Sequence, residues 1–200
     1  AGYLKGNDGG ATWYADKDIA IYSASDITAG DGWIDNATAH TIANNITTNL
    51  AGACKSIGWY KHGCNLAPGP LSGAATGDRN ALATWITNNT GDGEDDILFI
   101  IDGVVDNIYN GTDGGILELY LEDGNTLMTT GDWAFYYRVD VAGSASVGAG
   151  GHIDDICDGS GLFTDVTHNQ TATDAGGECL PSMDNDFTSS RPSVLGTYAA

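Results

Sequence analysis

Asp96-Ile97-Leu98-Phe99-Ile100-Ile101 is the stretch on which the fold turns. Five consecutive apolar residues behind one aspartate match a central parallel strand, which is covered on both faces and therefore shows no polar alternation. On its amino-terminal side, residues 79–87 place Leu82, Trp85 and Ile86 on one side of a helix. Gly63 to Asp78 before it is a loop rich in Gly, Pro and Ala. Lys55 to Tyr60 reads as a second, weaker strand. Asn36 to Leu50 sets Ala39, Ile42, Ala43, Ile46 and Leu50 at helical spacing, with Asp35 or Asn36 as the cap. Asp18 to Tyr22 is a short apolar run that ends in Ser23-Ala24-Ser25-Asp26 and reads as the first buried strand.

On the carboxyl-terminal side, Gly114 to Glu122 carries Ile116, Leu117, Leu119 and Leu121 as a third helix, and Asn125 to Thr129 follows as a strand. Residues 134–139 continue as helix or strand. Alternation of strand and helix through four strands defines an α/β fold with a doubly wound, mostly parallel sheet and right-handed crossovers. Residues 140–200 are different. They are rich in Gly, Ser, Thr and Asp, with little periodicity and one further strand expected near Val166. The expectation is a single domain over 1–200, with an α/β core at about 18–140 and a loop-rich extension over 141–200.

The charge is lopsided, with 27 acidic residues against 7 basic ones and a net charge of −20. Such a surface repels nucleic-acid phosphates and anionic lipid heads, so neither is an expected partner. It suits cations, neutral glycans or a salty medium. No apolar run approaches the ~18 residues of a membrane helix, so no membrane insertion is expected. Five Asn-x-Thr sequons, at Asn36, Asn45, Asn88, Asn110 and Asn169, have no proline in the middle position. With four cysteines and a chain that opens at Ala1, they point to a mature, extracellular or cell-surface glycoprotein. Four cysteines allow three pairings. Cys54–Cys64 and Cys157–Cys179 are favoured because each closes a Gly- and Pro-rich excursion, and the second pins the C-terminal extension.

Residues 18–140 resemble the class I glutamine amidotransferase-like fold in its broad, ThuA-like and flavodoxin-like sense. The resemblance is carried by Ile97-Leu98-Phe99-Ile100-Ile101-Asp102-Gly103, by the helix Gly115 to Leu121, and by Glu122 to Asp132. The family places a nucleophilic cysteine at the elbow after the corresponding strand. Here Thr130-Gly131-Asp132-Trp133 stands there, and a closing His–Glu pair is missing. The resemblance therefore implies fold without glutaminase chemistry. Asp132 and Trp133, at the carboxyl end of a strand, are the candidate ligand-binding pair.

A second resemblance is to SGNH-type hydrolases. Ser25 follows the first strand, and Asp165-Val166-Thr167-His168 has the spacing of their Asp–His pair. A histidine beside a serine deprotonates it and an aspartate orients the imidazole, which would give an extracellular esterase or glycosidase. The Gly-Asp-Ser elbow of that family is absent.

The acidic loops Asp92-Gly93-Glu94-Asp95-Asp96 and His152-Ile153-Asp154-Asp155 offer carboxylate oxygens suited to Ca²⁺, although neither matches a twelve-residue calcium loop. The four histidines lack metal-ligand spacing, so no transition metal and no organic cofactor is expected. The sequence thus predicts a non-catalytic structural or interaction subunit of an extracellular assembly. Its expected partners are further copies of itself or another extracellular protein, with glycans as possible ligands. Hydrolysis and a carbohydrate- or calcium-binding role are the alternatives.

Overall fold

The computed structural model describes residues 14–23, 34–62, 76–101, 103–129, 135, 137–140, 145–147, 151–156, 159–160, 168–171, 186–189 and 197–198. The first strand, β1 (Asp18–Ser23), lies at the centre of the main sheet. It is followed by α1 (Asn36–Leu50), β2 (Ser56–Lys61), α2 (Arg79–Asn88), β3 (Ile97–Ile100), a two-residue β4 (Val104–Val105), α3 (Ile116–Glu122) and β5 (Thr126–Thr129). The four long strands form one parallel sheet in the order β2-β1-β3-β5. This is the flavodoxin-like order, and it reverses direction between β1 and β3.

Both faces of β1 are buried, as the apolar pattern requires. Ile19 and Ile21 join Trp59, Ile97 and Ile101 in a core under α1, through Ala39 and Ala43. Ala20 and Tyr22 face the other way, with Tyr60, Leu98 and Ile100, onto Leu82 and Ile86 of α2 and Leu117 and Tyr120 of α3. Trp59 and Trp85 are packing residues: His40 meets the Trp59 ring edge-on at 5.1 Å, and Trp85 lies 5.9 Å from Tyr120.

The helix starts follow the capping chemistry of the sequence. Asp35 accepts from the Thr38 amide at 2.9 Å, and Asp78 accepts from Asn80 and Ala81 at 2.9 and 3.0 Å. Helix α3 departs from its apolar pattern. Leu119 is 46% exposed, while Glu118 is buried and its Oε2 accepts from the Gly114 amide at 2.6 Å. The carboxylate turns inward because it satisfies an orphan amide at the helix start. Gly124, at φ +101, makes the tight turn from α3 into β5.

Strands in parallel have no hairpin to set their register. Here the register is tied at the amino edge. The Asp96 amide donates to Asn125 Oδ1 (2.7 Å), the Asp96 carbonyl accepts from the Thr126 amide (2.8 Å), and Asp96 Oδ1 accepts from the Asp18 amide (2.8 Å). Asn125 Nδ2 also donates to the carbonyls of Asn89 (2.9 Å) and Tyr120 (3.0 Å), at the ends of α2 and α3.

The carboxyl-terminal part holds more regular structure than its composition suggests. Residues 137–139 are strand: β6 (Tyr137–Val139) pairs with β4 in parallel and with β7 (Ala145–Val147) antiparallel. Beyond them lie α4 (Gly151–Ile156) and two antiparallel pairs. These join β8 (Gly159–Ser160) to β11 (Thr197–Tyr198), and β9 (His168–Thr171) to β10 (Asp186–Ser189). Val166, where one further strand is expected from the sequence, lies outside the described residues. Short pairings of this kind carry no 3.6- or 2-residue apolar period long enough to be read.

Of the expected Cys54–Cys64 pair, Cys54 is a free thiol in the described structure. Its sulfur, half-buried at the end of α1, donates to the carbonyls of Leu50 (3.3 Å) and Ser56 (3.4 Å), and burial pushes the thiol pKa up. Cys64, Cys157 and Cys179 lie outside the described residues.

Substituting Asn125→Ala strands one buried amide and two carbonyls. It is expected to lower unfolding stability by about 3 kcal/mol, read by urea denaturation with an unchanged m-value.

Candidate functional site

At the carboxyl ends of β1 and β2, where such sheets bind ligands, two described polar side chains are buried, Ser23 and His62. Ser23 ends β1 with no exposed surface, and its Oγ lacks a hydrogen-bond partner. His62, just after β2, is equally buried. Its Nδ1 lies 3.2 Å from the Tyr22 hydroxyl, and its carbonyl accepts from Arg79 at 2.9 Å. Asn107 Nδ2 donates to the Arg79 carbonyl at 2.8 Å. Asp106 and Arg138 stand at ion-pair distance (3.2 Å) without hydrogen-bond alignment. Burial pushes the Asp106 carboxyl above its usual range, against the pull of Arg138 and His62.

Asp132, Trp133, Ser25 and Asp165 lie outside the described residues. His168 stands in β9, paired with Ser189. Of the Ser25, Asp165 and His168 constellation, only His168 is among the described residues.

The second acidic loop is used differently from its sequence reading. His152 and Asp155, three apart on α4, hold the buried Tyr109 hydroxyl. It donates to Asp155 Oδ2 at 2.9 Å and lies 3.2 Å from His152 Nδ1, with the two rings edge-to-face at 5.2 Å. These contacts fasten α4 to the segment after β4, and they turn both side chains toward Tyr109.

The first acidic loop does converge with a distant residue. One carboxylate oxygen each from Asp18, Glu94 and Asp96 lies within 4.8 Å of the others. Lys55 Nζ contacts Asp18 (2.9 Å) and Glu94, and Lys17 pairs with Asp95 (3.1 Å). Burial pushes the Asp18 carboxyl up, but hydrogen bonds from Ser56 and Lys55 prevail and hold it below its ordinary value. The Asp96 carboxyl is raised, first by burial and then by the charges of Asp18, Asp92 and Glu94.

A third feature was not legible in sequence. On the α1 face, the helix covers β1 and β2, while the apolar face of β3 and β5 is left partly open. A groove of about 220 Å³ results, with an apolar lining from Tyr14, Ile19, Ile46, Leu50, Ile97, Phe99 and Met128. Met128 is 39% exposed. Its lining holds no charged side chain.

Among the sequons, Asn45, Asn88 and Asn110 are exposed. Asn36 opens α1, and Asn169 lies in β9 opposite Thr188. Among the described residues, no helix is long and apolar enough to cross a membrane. No family model, curated protein or solved structure matches this chain.

Burial lowers the His152 pKa below the usual 6.5; Arg138 lowers it further, and Asp155 opposes both. A histidine depressed in the folded state contributes stability above its unfolded pKa and loses it as pH falls. Stability is therefore expected to drop as pH falls below about 6.5, and His152→Gln should flatten that part of the profile. Chemical denaturation at pH 7.5, 6.5 and 5.5 measures it.

Proposed function

We propose that this chain is a non-catalytic interaction subunit of an extracellular assembly. In this reading, its groove takes an apolar segment of another protein flanked by basic residues. The observation that carries the reading is the open apolar groove beside α1, with Met128 at its rim. Exposed apolar surface rimmed by charge is how docking sites present themselves. The net charge of −20 favours a basic partner over a second equally acidic copy.

The finer kinship to the amidotransferase-like proteins belongs to the same proposal. The parallel order β2-β1-β3-β5 and the α3–Gly124–β5 turn support it. Thr130-Gly131-Asp132-Trp133 stands where those proteins carry their nucleophile. The exposed positions of Asn45, Asn88 and Asn110 support glycosylation, and with it an extracellular location.

Two measurements test this. A fluorescent amphipathic helical peptide of Leu and Lys should bind the full chain, weaken with added salt, and lose affinity at least tenfold in Met128→Asp. The matching Leu/Glu peptide should not bind. Binding that is indifferent to Met128→Asp, or no binding, would overturn the docking reading. A dimer in sedimentation that Met128→Asp dissociates would make a second copy the occupant and overturn the choice of partner. Intact-mass spectrometry of native protein should show glycan mass at Asn45, Asn88 or Asn110; an unmodified chain removes the main support for the location.

A further inference from the structure

Asp96 is fully buried, and only one of its two carboxylate oxygens is accounted for. Oδ1 accepts from the Asp18 amide at 2.8 Å, while Oδ2 is enclosed without a hydrogen-bond partner. An enclosed carboxylate oxygen with nothing to accept from is costly and calls for a proton or a cation. One carboxylate oxygen each of Asp18, Glu94 and Asp96 lies within 4.8 Å of the others. Asp92 adds a fourth negative charge close enough to act on the Asp96 carboxyl. Against these, Lys55 supplies one ammonium, held by Asp18 and Glu94.

We infer that Asp18, Glu94 and Asp96 form a calcium site at the amino edge of the sheet, with Lys55 as an internal competitor for it. The donors are all hard oxygens, which favours Ca²⁺ or Mg²⁺ over softer metals. The three oxygens lie within 4.8 Å of one another, close enough to converge on one ion, and a shell of several carboxylates suits Ca²⁺, which gives up its water more readily than Mg²⁺. Lys55 is half-exposed and its side chain is free to swing outward, leaving Asp18 and Glu94 to the metal. Water and Asp92 would complete a shell of six to eight oxygens.

The site would cross-link β1 to β3 and to the loop before β3, residues 76 and 78 apart in sequence from Asp18 to Glu94 and Asp96. It rests on the amino edge alone, so its failure leaves the docking reading where it stands.

Isothermal titration of the full chain with CaCl₂ at pH 7.5 tests it, with MgCl₂ as the comparison. One Ca²⁺ per chain is expected, at least tenfold tighter than Mg²⁺. Glu94→Gln lies on an exposed residue and should fold; it should weaken Ca²⁺ at least tenfold, as should Asp96→Asn if that variant folds. Lys55→Met should tighten Ca²⁺ several-fold by removing the competing ammonium. No saturable heat in either the parent chain or Lys55→Met would overturn the site. Calcium affinity unchanged in Glu94→Gln would do the same, by assigning the heat to other acidic residues.

Discussion

The hydrogen bonds that converge on Asp96 and Asn125 hold the rest of the structure in place. A parallel sheet receives each strand from a separate crossover, so nothing local aligns one strand with the next. In this chain the alignment is made by side chains at the amino edge. Asp96 takes the Asp18 amide, Asn125 takes the Asp96 amide, and Thr126 returns to the Asp96 carbonyl. The remaining donors of Asn125 close the ends of α2 and α3. One corner thus sets the register of three strands and the position of two helices. The same corner concentrates carboxylates, because each of these strands begins with an acidic residue or lies beside one.

With the register set, burial does the rest. Alternate residues of β1 feed two cores, one beneath α1 and one beneath α2 and α3. The two sides are not equally finished. The α2–α3 face is extended by Val104, Val105, Phe135 and Val139 into a continuous core. On the α1 face one helix spans two strands, and Phe99 and Met128 border the open groove.

Much of the fold was legible because its signals are local. The apolar run at Ile97–Ile101, the helical spacing of α1 and the Asp35 and Asp78 caps need only neighbouring residues to be read. Leu119 misled, because hydrophobicity alone does not reveal that Glu118 has an amide to satisfy within its own turn. Beyond residue 140 the strands are two to four residues long and gain their stability from pairing, which leaves no periodic mark. Of the candidate site, the carboxylates of residues 92–96 were visible, but Asp18 was not. Nor was the Tyr109 hydroxyl that claims His152 and Asp155.

Sequence by itself determined the class: a parallel α/β sheet, an acidic surface and five competent sequons, all properties of short windows or of composition. Tertiary structure alone decided which residues meet. It joined Asp18 to Glu94 and Asp96 across a crossover, left Cys54 facing two carbonyls as a free thiol, and opened a groove where α1 stops short of β5. The reason is physical: hydrophobic period and capping act within a turn or two of chain, whereas a carboxylate cluster and an uncovered sheet face depend on strand order, which no local window contains.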